Sequence, residues 1–250
     1  MKPILVISID DSFEYAINIA SILDQNELRG SFFLDVGRIG RTMNKSTVRR
    51  LAESHEVGSH SVTHRQMTKI PLSECLNEIR ESKRRLEEIT GKTVASFAFP
   101  YGDENKTLRR LVLAEGYRCA RGARQGQCVL PSSVDDMNVS LLVTPRRLKL
   151  LLQLIGLATS RDDSKPKKIV LPFAVPAIMS VFFALPHLPM LETRRVNLLH
   201  ILLHPYNFRH TCELDLIDRF LRVIVDSAHP VNLTVSELAQ AIGTGWSRSN

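Results

Sequence analysis

Cysteine is scarce in this chain: 250 residues hold four, at positions 75, 119, 128 and 212, with no Cys-x-x-Cys pair. That excludes a disulfide framework and leaves a reducing compartment as the expectation. Cys75, on the apolar face of an expected helix, and Cys119, in an expected strand, read as small core residues. Internal repeats and low-complexity tracts are absent as well, so neither a solenoid nor a tail-dominated chain fits. Lys plus Arg number 33 against 26 for Asp plus Glu, a net charge of +7. Without a zinc finger, an aromatic RNA-reading motif or a heptad with a basic arm, this excess implies a basic surface and no nucleic-acid partner. A strand-like run begins at residue 4 and leaves no room for a signal peptide, so a cytoplasmic location is expected.

Charge is missing from one long stretch, residues 169–191. It is long enough to cross a bilayer. Pro172, Pro176, Pro186 and Pro189 interrupt it, which argues against one regular spanning helix. Basic residues on both sides suit peripheral docking on an anionic membrane surface. The competing reading is an inserted set of core strands and loops.

The rest alternates short apolar runs with helical periodicity, the pattern of repeated β-α units. Strands are expected at 3–9, 30–36, 56–59, 95–99, 117–120, 198–203 and 231–235, and helices at 13–26, 46–54, 72–90, 105–115, 214–225 and 236–242. In the clearest helix Leu72, Cys75, Leu76, Ile79, Leu86 and Ile89 share one face and charged residues the other. Ser73 would cap its start and Gly91 its end. Residues with chemical potential fall where strands end, as in a β/α barrel whose site lies at the C-terminal strand ends.

Among them, His60 and His64 are separated by three residues, so one helical turn could bring both imidazoles to one cation, with Asp11 adding an oxygen ligand. Two histidines and one carboxylate leave coordination positions open, which suits hydrolysis. Singly these residues have bland readings: His64 as a surface histidine, Asp10-Asp11 as a strand-end turn. His187, His200, His210 and His229 are read as structural, and His55, preceding its strand, as pointing elsewhere.

Four segments in order, Ser8-Ile9-Asp10-Asp11-Ser12, His60-Ser61-Val62-Thr63-His64, Phe97-Ala98-Phe99-Pro100-Tyr101-Gly102 and Leu202-Leu203-His204-Pro205, resemble the motifs of the polysaccharide deacetylase family, carbohydrate esterase family 4. The resemblance implies an α/β fold, a distorted (β/α) barrel with fewer than eight regular strands. It implies one catalytic domain over 1–250, with an insertion at about 140–195 before the last strands. It also implies a metal-dependent hydrolase that cleaves the linear amide C–N bond of an N-acetylated amino sugar in a polysaccharide or oligosaccharide. By the same resemblance Asp11, His60 and His64 bind a divalent metal, usually zinc, and Asp10 is the general base. The Tyr101 N–H stabilises the oxyanion, and His204 is the general acid. Leu202 lines the acetyl pocket, while Pro100 and Gly102 shape the loop that substrate approaches.

Three departures from that pattern stand out. Ser12 replaces the usual glycine, at a turn that must bring both Asp10 and Asp11 to the site. Ala98 replaces the arginine that orients the base, leaving Arg118, Arg121 or Arg124 as substitutes. The acidic partner of His204 is not identifiable, with Asp135 or Asp136 as weak candidates; without one, His204 is less readily held protonated. Two other activities stay open: a cytoplasmic-face deacylase of a lipid-linked sugar, and a non-catalytic glycan- or metal-binding module. Oligomeric state is not readable from the sequence.

Overall fold

In the computed structural model the described residues are 2–149, 152 and 197–244. The apolar segment 169–191 and most of the expected insertion lie outside them.

Eight parallel strands form one curled sheet: β1 (Ile4–Asp10), β2 (Ser31–Leu34), β3 (Glu56–Ser59), β4 (Ser96–Ala98), β5 (Cys119–Arg121), β6 (Leu141–Leu142), β7 (Leu198–Leu203) and β8 (Val231–Asn232). The order is β5-β4-β3-β2-β1-β7-β6, with β8 beside β1, and the path does not close among the described residues. This is the distorted β/α barrel the motifs imply, with fewer than eight regular strands, since β6 and β8 contribute only two residues each. Strand β6 falls inside the expected insertion and pairs with β7, so the first residues of that segment belong to the sheet.

Helices lying wholly within the described residues are α1 (Ala16–Gln25), α2 (Lys45–Ser54), α3 (Leu72–Thr90), α4 (Lys106–Ala114), α5 (Thr211–Ala228) and α6 (Val235–Gly243). Their boundaries follow local chemistry. Asn105 caps α4 by accepting from the Leu108 N–H, Thr234 and Glu237 form a capping box on α6, and Gly91 ends α3 in the left-handed region. Two details of α3 differ from the periodicity reading. Pro71, not Ser73, occupies the N-cap position. Leu72 is 53% exposed, whereas Glu78, expected on the charged face, is buried.

Strand alternation sorts the core into two layers. Leu5, Ile7 and Ile9 join the larger apolar cluster between sheet and outer helices. Ile4 and Val6 face inward with Phe33, Ala98, Cys119, Met137 and Leu198, where Val235, Leu238 and Ala239 of α6 close the N-terminal end. Glu56 seats that helix: its carboxylate accepts from Ser31 and Ser96 hydroxyls at 2.6 and 2.7 Å and from the Ser236 N–H at 3.2 Å. Farther along the same inner face the residues turn polar: Ser8 and Asp10 on β1, His200 on β7, Arg121 on β5, all buried. With one end plugged by apolar side chains, the C-terminal end is where chemistry can sit.

Candidate active site

Asp10 ends β1, and the chain reverses at the next residue. The positive φ falls on Asp11, at 78°, and not on Ser12. A serine therefore fits at position 12, where its N–H donates to Asp35 Oδ1 at 2.8 Å and its hydroxyl to the Asp35 carbonyl at 3.0 Å. Because Asp11 takes the left-handed conformation, both carboxylates turn toward one region.

The Asp10 carboxylate is paired with Arg121, whose side chain is fully buried. Arg121 Nη1 donates to the Gly122 carbonyl at 2.9 Å, and the guanidinium lies 4.7 Å over the Phe33 ring. Arg121 is thus the substitute cation among the three sequence candidates. Arg124 instead pairs with Asp136 at 2.6 Å. Burial would raise the Asp10 carboxyl, but the Arg121 charge, then His60 and His204, outweigh it and hold Asp10 below its ordinary value.

His60 follows β3. Its Nδ1–H donates to the Ala98 carbonyl at 2.8 Å, which leaves Nε2 as a lone pair. Residues 60–64 are a loop and not the helical turn that spacing suggested: Ser61 and His64 have φ of 69° and 56°. The loop nevertheless brings the two Nε2 atoms within 3.2 Å of each other, and His64 Nε2 to 3.2 Å from Asp11 Oδ1. The three donor atoms lie within 4.8 Å of one another. Asp11 Oδ1 is buried without a hydrogen-bond partner, and the His60 Nε2 lone pair faces the same point. These residues fit a divalent cation. Burial, reinforced by Asp10, raises the Asp11 carboxyl to about 6, and burial lowers His60 to about 4. His64 is lowered too, again mainly by burial.

Tyr101 follows β4 in a tight turn behind the buried Pro100, with φ 60° and ψ 6°. The residue is 66% exposed, its ring centroid is 4.6 Å from that of His64, and no described group accepts its N–H. At Gly102, φ is 66° and a Cβ would fall 2.8 Å from Ala123. Glycine there accommodates the neighbouring chain. His204 follows β7, half-buried, with its ring 5.3 Å from Tyr206. Asp135 accepts from Ser133, and Asp136 pairs with Arg109 and Arg124, so neither partners His204; no described carboxylate does. Leu202 is buried and belongs to neither apolar cluster, one inward step below His204.

Sequence reasoning missed two residues. His200, read as structural, lies beneath the site with Nε2 2.6 Å from Ser8 Oγ, and burial, aided by Arg121, lowers it to about 3. Glu78, on α3, accepts hydrogen bonds from the loop carrying the two histidines. Only alternation along β7 hinted at the first; nothing local marked the second. His55, as expected, points elsewhere, 3.5 Å from Asp24.

Residues 1–120 match the family model described as polysaccharide deacetylase. A peptidoglycan-N-acetylglucosamine deacetylase of Bacillus cereus is 30% identical over 112 residues, 44% of this chain and 41% of that protein. One from Listeria monocytogenes is 33% identical over 89 residues, 34% and 18% of the two chains. The match thus spans less than half of either relative's length. Among solved structures, the CE4 domain of a multidomain xylanase from the hindgut metagenome of Trinervitermes trinervoides superposes with a TM-score of 0.60 at 17% identity, covering 97% and 92% of the two chains. A CE4 family pseudoenzyme from Bacillus anthracis gives 0.60 at 15%, covering 95% and 66%.

Proposed function

We propose that this chain, whose residues 1–120 match the polysaccharide deacetylase family model, is a metal-dependent hydrolase removing N-acetyl groups from an amino sugar in a polysaccharide or oligosaccharide. The observation that carries the reading is the convergence of Asp11 Oδ1, His60 Nε2 and His64 Nε2 next to an Asp10 carboxylate held by Arg121.

A divalent cation held by Asp11, His60 and His64, with zinc the expected ion, would supply the Lewis acidity that makes water nucleophilic near neutral pH. Asp10 is kept ionised by Arg121, so it can take the proton of the attacking water through Oδ2, which lies 3.9 Å from His60 Nε2. The unpartnered Tyr101 N–H would donate to the tetrahedral oxyanion formed from the amide carbonyl. His204 would pass a proton to the departing amine, and Leu202 would form the apolar floor for the acetyl methyl. Pro100 fixes the chain direction before Tyr101.

The test is acetate release from N-acetylated oligosaccharides, peptidoglycan-type N-acetylglucosamine included, before and after chelation, for the wild type and Asp10→Asn. Release that chelation and the substitution both abolish is the expected result. Absence of release from every substrate, with stoichiometric metal bound, favours instead a non-catalytic glycan-binding module, the reading that the unpartnered His204 supports. A cytoplasmic location suits the described cysteines, all unpaired. Contact with an anionic membrane surface or a lipid-linked sugar rests on the sequence of 140–195 alone. Liposome sedimentation at low salt tests it.

A further inference from the structure

Because His60 and His64 sit in a loop, no helix sets their spacing, and two of the loop's non-glycine residues, Ser61 and His64, hold left-handed backbone. Such conformations persist only where surrounding contacts over-determine them. On one side, the Val36 and Gly37 N–H groups donate to the Ser61 and Val62 carbonyls at 3.1 and 2.8 Å. A Cβ on Gly37 would stand 2.6 Å from the Val62 oxygen, so glycine alone allows that approach. On the other side stands Glu78.

Glu78 lies in the first half of α3 and is 6% exposed. Its Oε2 accepts from the Val62 and Thr63 N–H groups, both at 2.8 Å, and its Oε1 from the Thr63 hydroxyl at 2.6 Å. Arg65 stands off at 3.6 Å from Oε1, with its side chain 45% exposed. A carboxylate buried on the inward face of a helix is unfavourable unless its charge is met by donors. Here the donors are the two residues midway between the histidines. Burial alone would raise the Glu78 carboxyl; the Thr63 and Val62 donors outweigh it and keep it below its ordinary value.

The geometry points to Glu78 as the positioning residue of the metal site: by gripping residues 62 and 63 from α3 it fixes the angle at which both imidazoles meet the cation. This rests on the metal reading of Asp11, His60 and His64. Outer partners that orient ligands typically change metal affinity 10–100-fold when removed. Thr63 is exposed, so water can replace Glu78 at its N–H and the loop can relax without unfolding the chain.

The experiment uses metal-stripped wild type, Glu78→Gln and Glu78→Ala. Zinc affinity is measured by competition with a chromogenic chelator, ligand geometry by the visible spectrum of bound cobalt(II), and stability by urea unfolding in chelator. Glu78→Ala is expected to weaken zinc roughly 10–100-fold and alter the cobalt spectrum, with a smaller change in Glu78→Gln, which keeps one acceptor oxygen. A carboxylate that serves only the fold would shift the urea midpoint and leave affinity and spectrum unchanged, which overturns the proposal. If Glu78→Ala does not fold, Glu78→Gln decides by the same two readouts. A wild type that binds no stoichiometric metal overturns the metal reading itself, and the role of Glu78 with it.

Discussion

Ala98 and Arg121 are register partners on adjacent parallel strands, β4 and β5. The cation that orients Asp10 therefore enters from the strand next to the one where the family motif would place it, across from a residue small enough to leave the space. Arg121 occupies that space fully buried, with Phe33 beneath its guanidinium.

Restoring the motif by Ala98→Arg should not raise activity. Ala98 is completely buried, and a second guanidinium would meet Arg121 with no carboxylate left to neutralise it. Overpacking and an unpaired buried charge together should lower stability by several kcal/mol, on the order of 3 or more. A urea midpoint equal to wild type with higher acetate release would refute the exchange of roles.

Removing Arg121 should be severe. Arg121→Met leaves Asp10 buried without its partner, a change worth about 3–5 kcal/mol. The Asp10 carboxyl then loses the charge that holds it down, so the acid limb of the kcat/KM profile moves to higher pH. Arg121→Lys should recover only part of the loss, since an ammonium cannot reach the Asp10 carboxylate and the Gly122 carbonyl with the same planar fork.

Stability of the metal-free protein should fall with acidification below neutrality. His200 and His60 are lowered to about 3 and about 4 from an ordinary 6.5, so the unfolded chain takes their protons first and folding loses free energy as pH drops below 6.5. Asp11, raised to about 6 from 3.8, works the other way, because the folded state takes its proton first. Two groups outweigh one between pH 6 and 4, and urea midpoints in chelator should decline there. His200→Asn should flatten the slope by about 1.4 kcal/mol per pH unit. An unchanged slope would mean that His200 is not the neutral buried group described here.

Gly102→Ala combines a positive φ with a Cβ 2.8 Å from Ala123. A loss of about 1–3 kcal/mol is expected. Because Tyr101 is the adjacent residue, kcat should fall more than KM changes, and steady-state kinetics with a soluble N-acetylated oligosaccharide would show it.

How much of this could be read from residues alone differs by element. The strands and helices around Asp10, His60, Tyr101 and His204 were readable because alternation and 3.6-residue periodicity are local. Gly91 punctuated α3 by its own chemistry, whereas Thr234, expected inside a strand, caps α6. The placement of motifs at the C-terminal ends of the strands followed from the same pattern, whereas the order of the strands, with β7 and β8 beside β1, did not.

What the chain alone determined is which residue types are available and which strand ends carry them: two adjacent carboxylates, two histidines three residues apart, a Pro-Tyr-Gly turn, a histidine after an apolar strand. What only the tertiary structure decided is how they are held. The turn at Asp11 rather than Ser12, the loop that replaces a helical turn at His60–His64, the approach of Arg121 across from Ala98 and the grip of Glu78 on residues 62–63 all join positions distant in sequence. Periodicity records which face a side chain takes; it carries no record of which charge from another strand or helix will meet it there.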